Sequence, residues 1–400
     1  MGSLAGVIVA LSTGACAGNV PRGGPMSALP ARTSPAAAAA KSSYRMTQAV
    51  FPTALRGYGE FVSYAPRCQV AVGATTNGGK RFSAPVPVAT WRCASDAQPA
   101  SSLAFDAHGD GFLYGPKLFV THDGGRAWVA SHLPGQVLAV EVDGRSVWML
   151  VARCRPVAGP GRCPLRLLES GNSGQSWAQA PSQPRAFAPG YHGVVQVGAP
   201  QGQSWLVRTG RSSGYLASLV PQMGTRRPAG FWFTANDGRS WSQRATPCTG
   251  MTAALSAAPD GALFAVCASQ PGAGQQGKTV ARSTDGGWTW AQLVSCATGI
   301  CPWPLGSGYL GSVDAVDAST VYLVGGRSPL LVSTDGGRQW QIVRGVTAGG
   351  DAGTSQVTFS SGSYGVVVGI DNSPRYAEQP AIWRTNDGGA HWSVVHPVIG

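Results

Sequence analysis

The sequence predicts an all-β fold, a β-propeller of seven four-stranded antiparallel blades, on three observations. An eight-residue turn pattern, Ser/Thr-x-Asp/Asn-x-Gly-x-x-Trp/Phe, occurs seven times. Successive copies start 46, 49, 64, 49, 50 and 52 residues apart, which suits a blade of four short strands with loops, somewhat longer than the ~40–45 residues of a WD-type blade. The composition is turn-rich and weakly charged, with 56 Gly, 29 Pro and 12% charged residues in 400, where soluble domains average ~25% charged. The longest apolar run, residues 4–11, falls short of the ~20 residues of a spanning helix. A multi-pass helical membrane protein, a collagen and a coiled coil are thereby excluded.

Residues 1–16 read as an export segment. LAGVIVAL at 4–11 is the apolar core of a secretory signal, small residues follow at 12–15, and Cys16 stands where a bacterial lipoprotein carries its lipid. Thr13 departs from that pattern, as does the lack of Lys or Arg ahead of the run; an ordinary signal cut near Ala15 or Ala17 is the alternative. Residues 17–46 form a Pro/Ala/Ser-rich tether too poor in apolar surface to order itself. Residues 47–400 hold the propeller. The expected location is extracytoplasmic, membrane-anchored or secreted.

The chain has nine Cys. With Cys16 taken by lipid, Cys68, Cys93, Cys154, Cys163, Cys248, Cys267, Cys296 and Cys301 remain. An even set in an exported chain reads as disulfides, and sequential pairing gives closures 68–93, 154–163, 248–267 and 296–301. Paired C-x2-C spacings are absent, so no metal is expected.

The turn copies begin with a degenerate one, Thr75-Thr-Asn77-Gly-Gly79-Lys-Arg-Phe82. Six follow, each named by its Asp or Asn and its Trp: Asp123 and Trp128, Asn172 and Trp177, Asn236 and Trp241, Asp285 and Trp290, Asp335 and Trp340, Asp387 and Trp392. Every position has a physical task. The Asp or Asn oxygen accepts backbone N–H groups of its own turn. Gly takes a backbone angle other residues resist. The Ser or Thr hydroxyl ties the incoming strand to the turn, and the Trp leads into the next strand and buries its ring between sheets.

This pattern resembles the Asp-box, or BNR, repeat of sialidases, sortilin-type receptors, two-domain xyloglucanases and photosystem II assembly-factor-like proteins. The resemblance covers residues 47–396. It implies that each box joins the third and fourth strands of a blade, away from any catalytic or binding centre, and that seven boxes mean seven blades.

The flanks supply the other strands. Residues 136–142, 145–151 and 164–170 precede the third box-bearing turn; 356–359, 365–370 and 381–385 precede the last, and 392–396 follow it. Asp110-Gly111, Asp143-Gly144 and Asp260-Gly261 mark tight first-to-second turns. Blade one runs from about 47 to 87, so ring closure joins two whole blades, a strand swap being the alternative. The long segments, 153–163, 210–230, 268–277, 295–308 and 371–380, all read as second-to-third loops or inter-blade connections, which share one face. The cysteines fall there too. Loops on a rigid scaffold carry function, which makes this face the expected contact surface.

The net charge is +12. With the tail's Arg22, Arg32, Lys41 and Arg45 set aside, the folded part keeps an excess of positive charge, which favours anionic partners. Nucleic acid is not expected, as no recognised motif occurs. A sialidase-like site needs three Arg, a Tyr with Glu, and an Asp, whereas the chain has only Glu60, Glu141, Glu169 and Glu378 as glutamates. Gly210-Arg-Ser212-Ser-Gly214 matches the serine-nucleophile pattern but lies in a polar loop. The six His are scattered, and Asp106-Ala-His-Gly-Asp110-Gly111 reads as a turn rather than a calcium loop. Trp205 and Trp232 read as core.

The expected function is a non-catalytic binding or assembly scaffold at the bacterial cell envelope, monomeric, without cofactor. Its partner is a protein or an anionic envelope glycan or polymer, met through Arg155, Tyr215, Arg226, Arg227 and Trp303. The alternative is an exo-sialidase-like glycoside hydrolase on the same propeller.

Overall fold

Every repeat folds into four strands in the computed structural model. Blade 1 comprises Arg45–Val50, Gly57–Ser63, Cys68–Thr75 and Val86–Trp91. Blade 2 comprises Ser102–Phe105, Gly111–Tyr114, Leu118–Thr121 and Val129–Ser131. Blade 3 comprises Gln136–Asp143, Ser146–Ala152, Leu165–Ser170 and Ala178–Gln179. Blade 4 comprises Leu206–Arg208, Gly214–Ser218, Gly230–Thr234 and Ser242–Arg244. Blade 5 comprises Thr252–Ala257, Leu263–Ala268, Lys278–Ser283 and Ala291–Val294. Blade 6 comprises Ser312–Ala315, Val321–Gly325, Ser328–Ser333 and Gln341–Ile342. Blade 7 comprises Gln356–Phe359, Gly365–Asp371, Gln379–Thr385 and Ser393–Val395. All seven sheets are antiparallel, with strands in chain order. The structure describes residues 44–64, 68–91, 101–133, 135–152, 161–163, 165–184, 193–195, 206–218, 230–247, 252–269, 275–295, 303–348, 356–376 and 379–400.

Apolar content sets each strand's depth. Second strands such as Leu263–Ala268 and Gly365–Asp371 are buried along their whole length. Fourth strands such as Ala178–Gln179 and Gln341–Ile342 are exposed and form the outer edge. First strands of successive blades touch one another around the axis.

Each turn aromatic plugs the seam against the preceding blade. Trp177 meets Phe112 with ring centroids 6.1 Å apart, Trp241 meets Trp148 at 6.0 Å, Trp290 meets Phe231 at 5.7 Å and Trp392 meets Tyr322 at 6.0 Å. Trp128 packs into the cluster of Tyr58, and Trp340 into that of Phe264. Phe82 of blade 1 lies among Val366, Val368 and Ile382 of blade 7, and this contact closes the ring. Sequence reasoning found the turn aromatics but not their receivers. Those receivers are mostly aromatic residues near the start of the second strand: Tyr58, Phe112, Trp148, Phe264 and Tyr322.

Closure adds one feature to the expected pair of whole blades. Val398–Ile399 pairs in parallel with Arg81–Phe82. Blade 1 extends to Trp91 rather than ending near 87, because its fourth strand starts at Val86 and not directly after the turn aromatic.

Hydrogen bonds sort the connections onto two rims. On one rim, the N–H of the fourth turn residue donates to a carbonyl in the first-to-second turn of its own blade. These bonds run from Gly78 to Leu55 (2.8 Å), Gly124 to Gly109 (3.1 Å), Ser173 to Arg145 (2.9 Å), Asp237 to Ser212 (2.7 Å), Gly336 to Ser319 (2.8 Å) and Gly388 to Ser363 (2.8 Å). On the other rim, second-to-third loops meet inter-blade connections. Gln276 N–H donates to Gly308 at 3.0 Å and Asn372 N–H to Thr347 at 3.2 Å, and Gly161–Cys163 pairs with Gly193–Val195.

Two local expectations change. Residues 210–230 are not one loop, since Gly214–Ser218 is a strand paired with Gly230–Thr234. The Gly210–Gly214 match is therefore a first-to-second turn, in which Ser212 accepts Asp237 N–H through its carbonyl. In blade 2, Gly111 opens the second strand, and the turn is built on Asp106, whose Oδ1 accepts the N–H groups of His108, Gly109 and Asp110 at 2.8, 2.8 and 2.9 Å.

Candidate functional site

The seven repeat turns share one geometry. The Ser or Thr hydroxyl donates to the Asp or Asn Oδ1, as in Ser283 to Asp285 at 2.7 Å and Ser170 to Asn172 at 2.8 Å. The same hydroxyl accepts the N–H of the fifth residue, as in Gly287 at 2.9 Å and Gly174 at 2.9 Å. Oδ1 then accepts the N–H four residues on, as in Thr289 and Ser176, both at 3.0 Å. The fifth residue is left-handed, with φ of 94° at Gly337 and 93° at Gly389, where only glycine rests without strain. Asp123, Asp335 and Asp387 repeat the arrangement, as does Asn236. Each is bonded within its own turn, so these residues build the scaffold and do not gather around a shared pocket.

The loop rim offers a different kind of chemistry. Lys278 opens the third strand of blade 5 and is 1% exposed. Its Nζ donates among the carbonyls of Gln276 (3.3 Å), Leu305 (3.3 Å), Ser307 (2.8 Å) and Gly308 (3.0 Å). Burial pushes its amine down to about 8. Leu305 is itself buried between blades 5 and 6. The connection from blade 5 to blade 6 is thus anchored from beneath, and two residues before Leu305 it presents Trp303, 76% exposed. An exposed tryptophan is a residue type enriched among the side chains that carry binding energy at protein interfaces.

A second cluster lies on the same rim at blade 7. His396 Nε2 is 2.7 Å from Asp371 Oδ2, Thr347 donates to Asp371 Oδ1 at 2.7 Å, and Ser373 N–H donates to Oδ1 at 2.8 Å. Burial opposes ionisation of Asp371, but these bonds outweigh it and hold the carboxyl below its ordinary value. The His396 ring stacks on Tyr376 at 3.8 Å.

Of the residues singled out from sequence, Trp303 is exposed on this rim. Tyr215 is not: it lies on a strand, 7% exposed, stacked on Phe231 at 5.2 Å, with no ring face open to a ligand. Trp232 is core. Arg155, Arg226 and Arg227 lie outside the described residues, as do Trp205 and Cys16. Cys68 and Cys267 are disulfide-bonded, at the loop-rim ends of their strands. Cys93, Cys154, Cys248, Cys296 and Cys301 lie outside the described residues, and for Cys163 only the strand is described.

Sequence reasoning missed the polar groups of the central region. Glu60 accepts from Thr47 (2.7 Å), Gln48 (2.9 Å) and Ser101 (2.9 Å), and burial raises its pKa. Asp314, on the first strand of blade 6, accepts from Ser256 of blade 5 at 3.2 Å and from the Phe359 N–H of blade 7 at 2.5 Å. Burial pushes Asp314 up to about 6 and Glu141 up to about 7. An isolated Asp or Glu in a strand gives no sign of partners that lie 12 to 58 residues away. Among the described residues, no group of three or more His, Cys, Asp or Glu is arranged to hold a metal.

No protein-family model matches the chain, and no curated protein matches it in sequence. Solved structures do match. One, described as YCF48 bound to D1 peptide, is 19% identical with a TM-score of 0.51, over 82% of this chain and 91% of that one. YCF48 from Cyanidioschyzon merolae is 16% identical with a TM-score of 0.50, over 86% and 96%. A GH74 enzyme of Niastella koreensis is 13% identical with a TM-score of 0.47, over 88% and 66%. At these identities the likeness is one of fold, and the fold is a seven-bladed β-propeller.

Proposed function

We propose that this chain is an exported, membrane-tethered, non-catalytic Asp-box propeller that serves as a binding or assembly scaffold at the cell envelope. In this reading residues 1–16 direct export, Cys16 carries a lipid, the tether runs from residue 17 only to the first strand, which begins at Arg45 and not at 47, and disulfides close the loop rim. The partner is a protein met on that rim. The observation that carries the proposal is Trp303, an exposed indole on a connection anchored by the buried Lys278. The YCF48 structure of similar fold holds a peptide, which supports peptide or protein binding as the use of this ring. The engagement of the described carboxylates in turns and seams supports a non-catalytic role: Asp106, Asp260 and Asp317 hold turns, and Glu60 and Asp314 hold seams.

One grouping favours the glycoside hydrolase as a second reading. Glu141 is pushed up to about 7 by burial against the pull of Arg208, and Tyr114 is raised by burial and by Glu141. Arg, Tyr and Glu are side chains that sialidase-like chemistry uses. Arg208, however, already donates to the Ser146 carbonyl at 3.1 Å and covers the Trp148 ring at 4.4 Å.

Two experiments separate the readings. Capture from envelope extract, with the full chain and with the Trp303→Ala variant, should recover a partner that the variant loses. A panel of fluorogenic glycosides should show no turnover. Sustained turnover that Glu141→Gln abolishes would overturn the scaffold.

A further inference from the structure

The repeat breaks its own rule in blade 1. In the other six blades the fourth strand starts directly after the turn aromatic, at Val129, Ala178, Ser242, Ala291, Gln341 and Ser393. In blade 1, residues 83–85 intervene between Phe82 and Val86. The third strand is consequently paired with the fourth only over Cys68–Val72, and beyond Val72 its outer edge meets Ser83, bonded to Ala74. A cleft of about 900 Å³ opens there on the turn rim, at the seam of blades 1 and 2.

Its lining has two parts. Ala74, Ala84 and Val86 give an apolar floor on the blade 1 side. Arg56, Arg81 and Arg126 stand exposed around it. Arg56 is fixed by donating to the Ala107 carbonyl of blade 2 at 2.8 Å, and Arg81 lies beside Gly400. Arg56, Tyr58 and Arg126 all line the cleft, so both guanidiniums border the same opening. The lining carboxylate, Asp123, already accepts Thr121 and the N–H groups of Arg126 and Ala127. The neighbouring Asp106 is likewise committed to its turn. The guanidiniums are the charged groups of the lining not committed to a turn, and their fork geometry suits carboxylates.

We infer that this cleft binds an acidic peptide segment in extended form, its carboxylates on Arg56 and Arg126 and an apolar side chain on the floor between them. The inference rests on the scaffold reading and adds to it a second contact surface, on the rim opposite Trp303.

The test uses the full chain and a short fluorescein-labelled peptide with Asp and Glu flanking a central Leu. Its controls are the same peptide with Asn and Gln in their place, and an oligogalacturonate as a carboxylated glycan. Anisotropy should show binding of the acidic peptide alone. Affinity should fall roughly tenfold or more in Arg56→Glu/Arg126→Glu, as two charge-assisted contacts are lost. Thr76→Trp, which fills the cleft without changing charge, should weaken binding similarly, with melting curves matching wild type. Equal binding of the amide peptide, preference for the oligogalacturonate, no binding, or indifference to both variants would overturn the inference. Envelope capture through Trp303 is scored separately, so a chain that captures its partner yet fails to bind the acidic peptide keeps the scaffold reading and loses this inference.

Discussion

The two rims of the ring are built by different kinds of interaction. On the turn rim, seven short hairpins repeat one set of hydrogen bonds within five residues of sequence. On the loop rim, single long-range contacts do the fixing: Lys278 with Gly308 at 3.0 Å, and His396 with Asp371 at 2.7 Å. Regularity places the scaffold on one side, and among the described residues the loop rim is held instead by contacts that do not repeat from blade to blade. Blade 1 carries some irregularity to the turn rim.

Even the regular rim contains a chemical variation. Blades 2, 5, 6 and 7 use Asp, and blades 1, 3 and 4 use Asn. Asp accepts only, so Thr289 donates its hydroxyl to Asp285 at 2.6 Å. Asn must also place two N–H donors, and Ser176 and Ser240 accept them from Asn172 and Asn236 at 2.9 and 2.8 Å. A hydroxyl four residues on satisfies either residue by reversing its role.

The largest effect should come from breaking the loop rim. Lys278→Met removes the donor shared by four carbonyls, three of them in buried bonds, while keeping most of the side chain's volume. We expect a loss of about 3 kcal/mol or more, because unsatisfied buried acceptors cost ~1–3 kcal/mol each. Urea unfolding would read this as a lower midpoint with unchanged slope; an unchanged midpoint would show that the carbonyl cage does not hold the rim.

Next in size is a pH effect that sets the centre against the turn rim. Asp314 is raised from 3.8 to about 6, so within that window the folded chain keeps a proton that the unfolded chain has released. Stability contributed by Asp314 therefore falls as pH rises through it, by about 2–3 kcal/mol in all. The turn carboxylates run the other way. Hydrogen bonds, the Thr289 hydroxyl foremost, hold Asp285 down to about 2, and the His391 N–H foremost lowers Asp387. Their contribution is present above the ordinary value of 3.8 and is lost as pH falls through the folded values. Melting temperatures measured across pH should rise from pH 2 towards 4 and decline towards 6 if these groups dominate. Asp314→Asn should lessen the decline on the upper limb alone, with Glu60 and Glu141, also raised by burial, keeping part of it.

These contrasts mirror what the sequence made legible. Trp128 through Trp392 could be placed in seams because their turn chemistry recurs and is local. Lys278 is one of four lysines and looks like any surface residue until residues 305–308 fold back over it. Tyr215 was misplaced because Gly214 opens a strand that reads as loop in a Gly/Ser-rich stretch. The cleft at blade 1 was hidden because the first turn copy matches the others through Phe82, and only the delayed pairing of Val86 reveals the difference.

A smaller effect should come from single turns. Ser283→Ala and Ser170→Ala each remove a donor to Oδ1 and an acceptor for a glycine N–H. Each should cost about 1–2 kcal/mol. Similar losses in the Asp turn and the Asn turn would show that the hydroxyl, not the charge, carries the hairpin. A much larger loss in Ser283→Ala would reverse that conclusion.

The smallest expected effect on stability carries the functional contrast. Trp303 is exposed while the chain around it is anchored through Leu305 and Lys278. Removing its ring leaves those contacts intact, so Trp303→Ala should change unfolding free energy by less than about 0.5 kcal/mol. A core aromatic such as Trp383, 1% exposed, should cost about 3–5 kcal/mol on the same substitution. If Trp303→Ala costs as much as a core substitution, the indole packs against the chain in solution and offers no contact surface. If it leaves stability unchanged yet abolishes partner capture, the ring is held in water to bind, and the loop rim is the working face of the propeller.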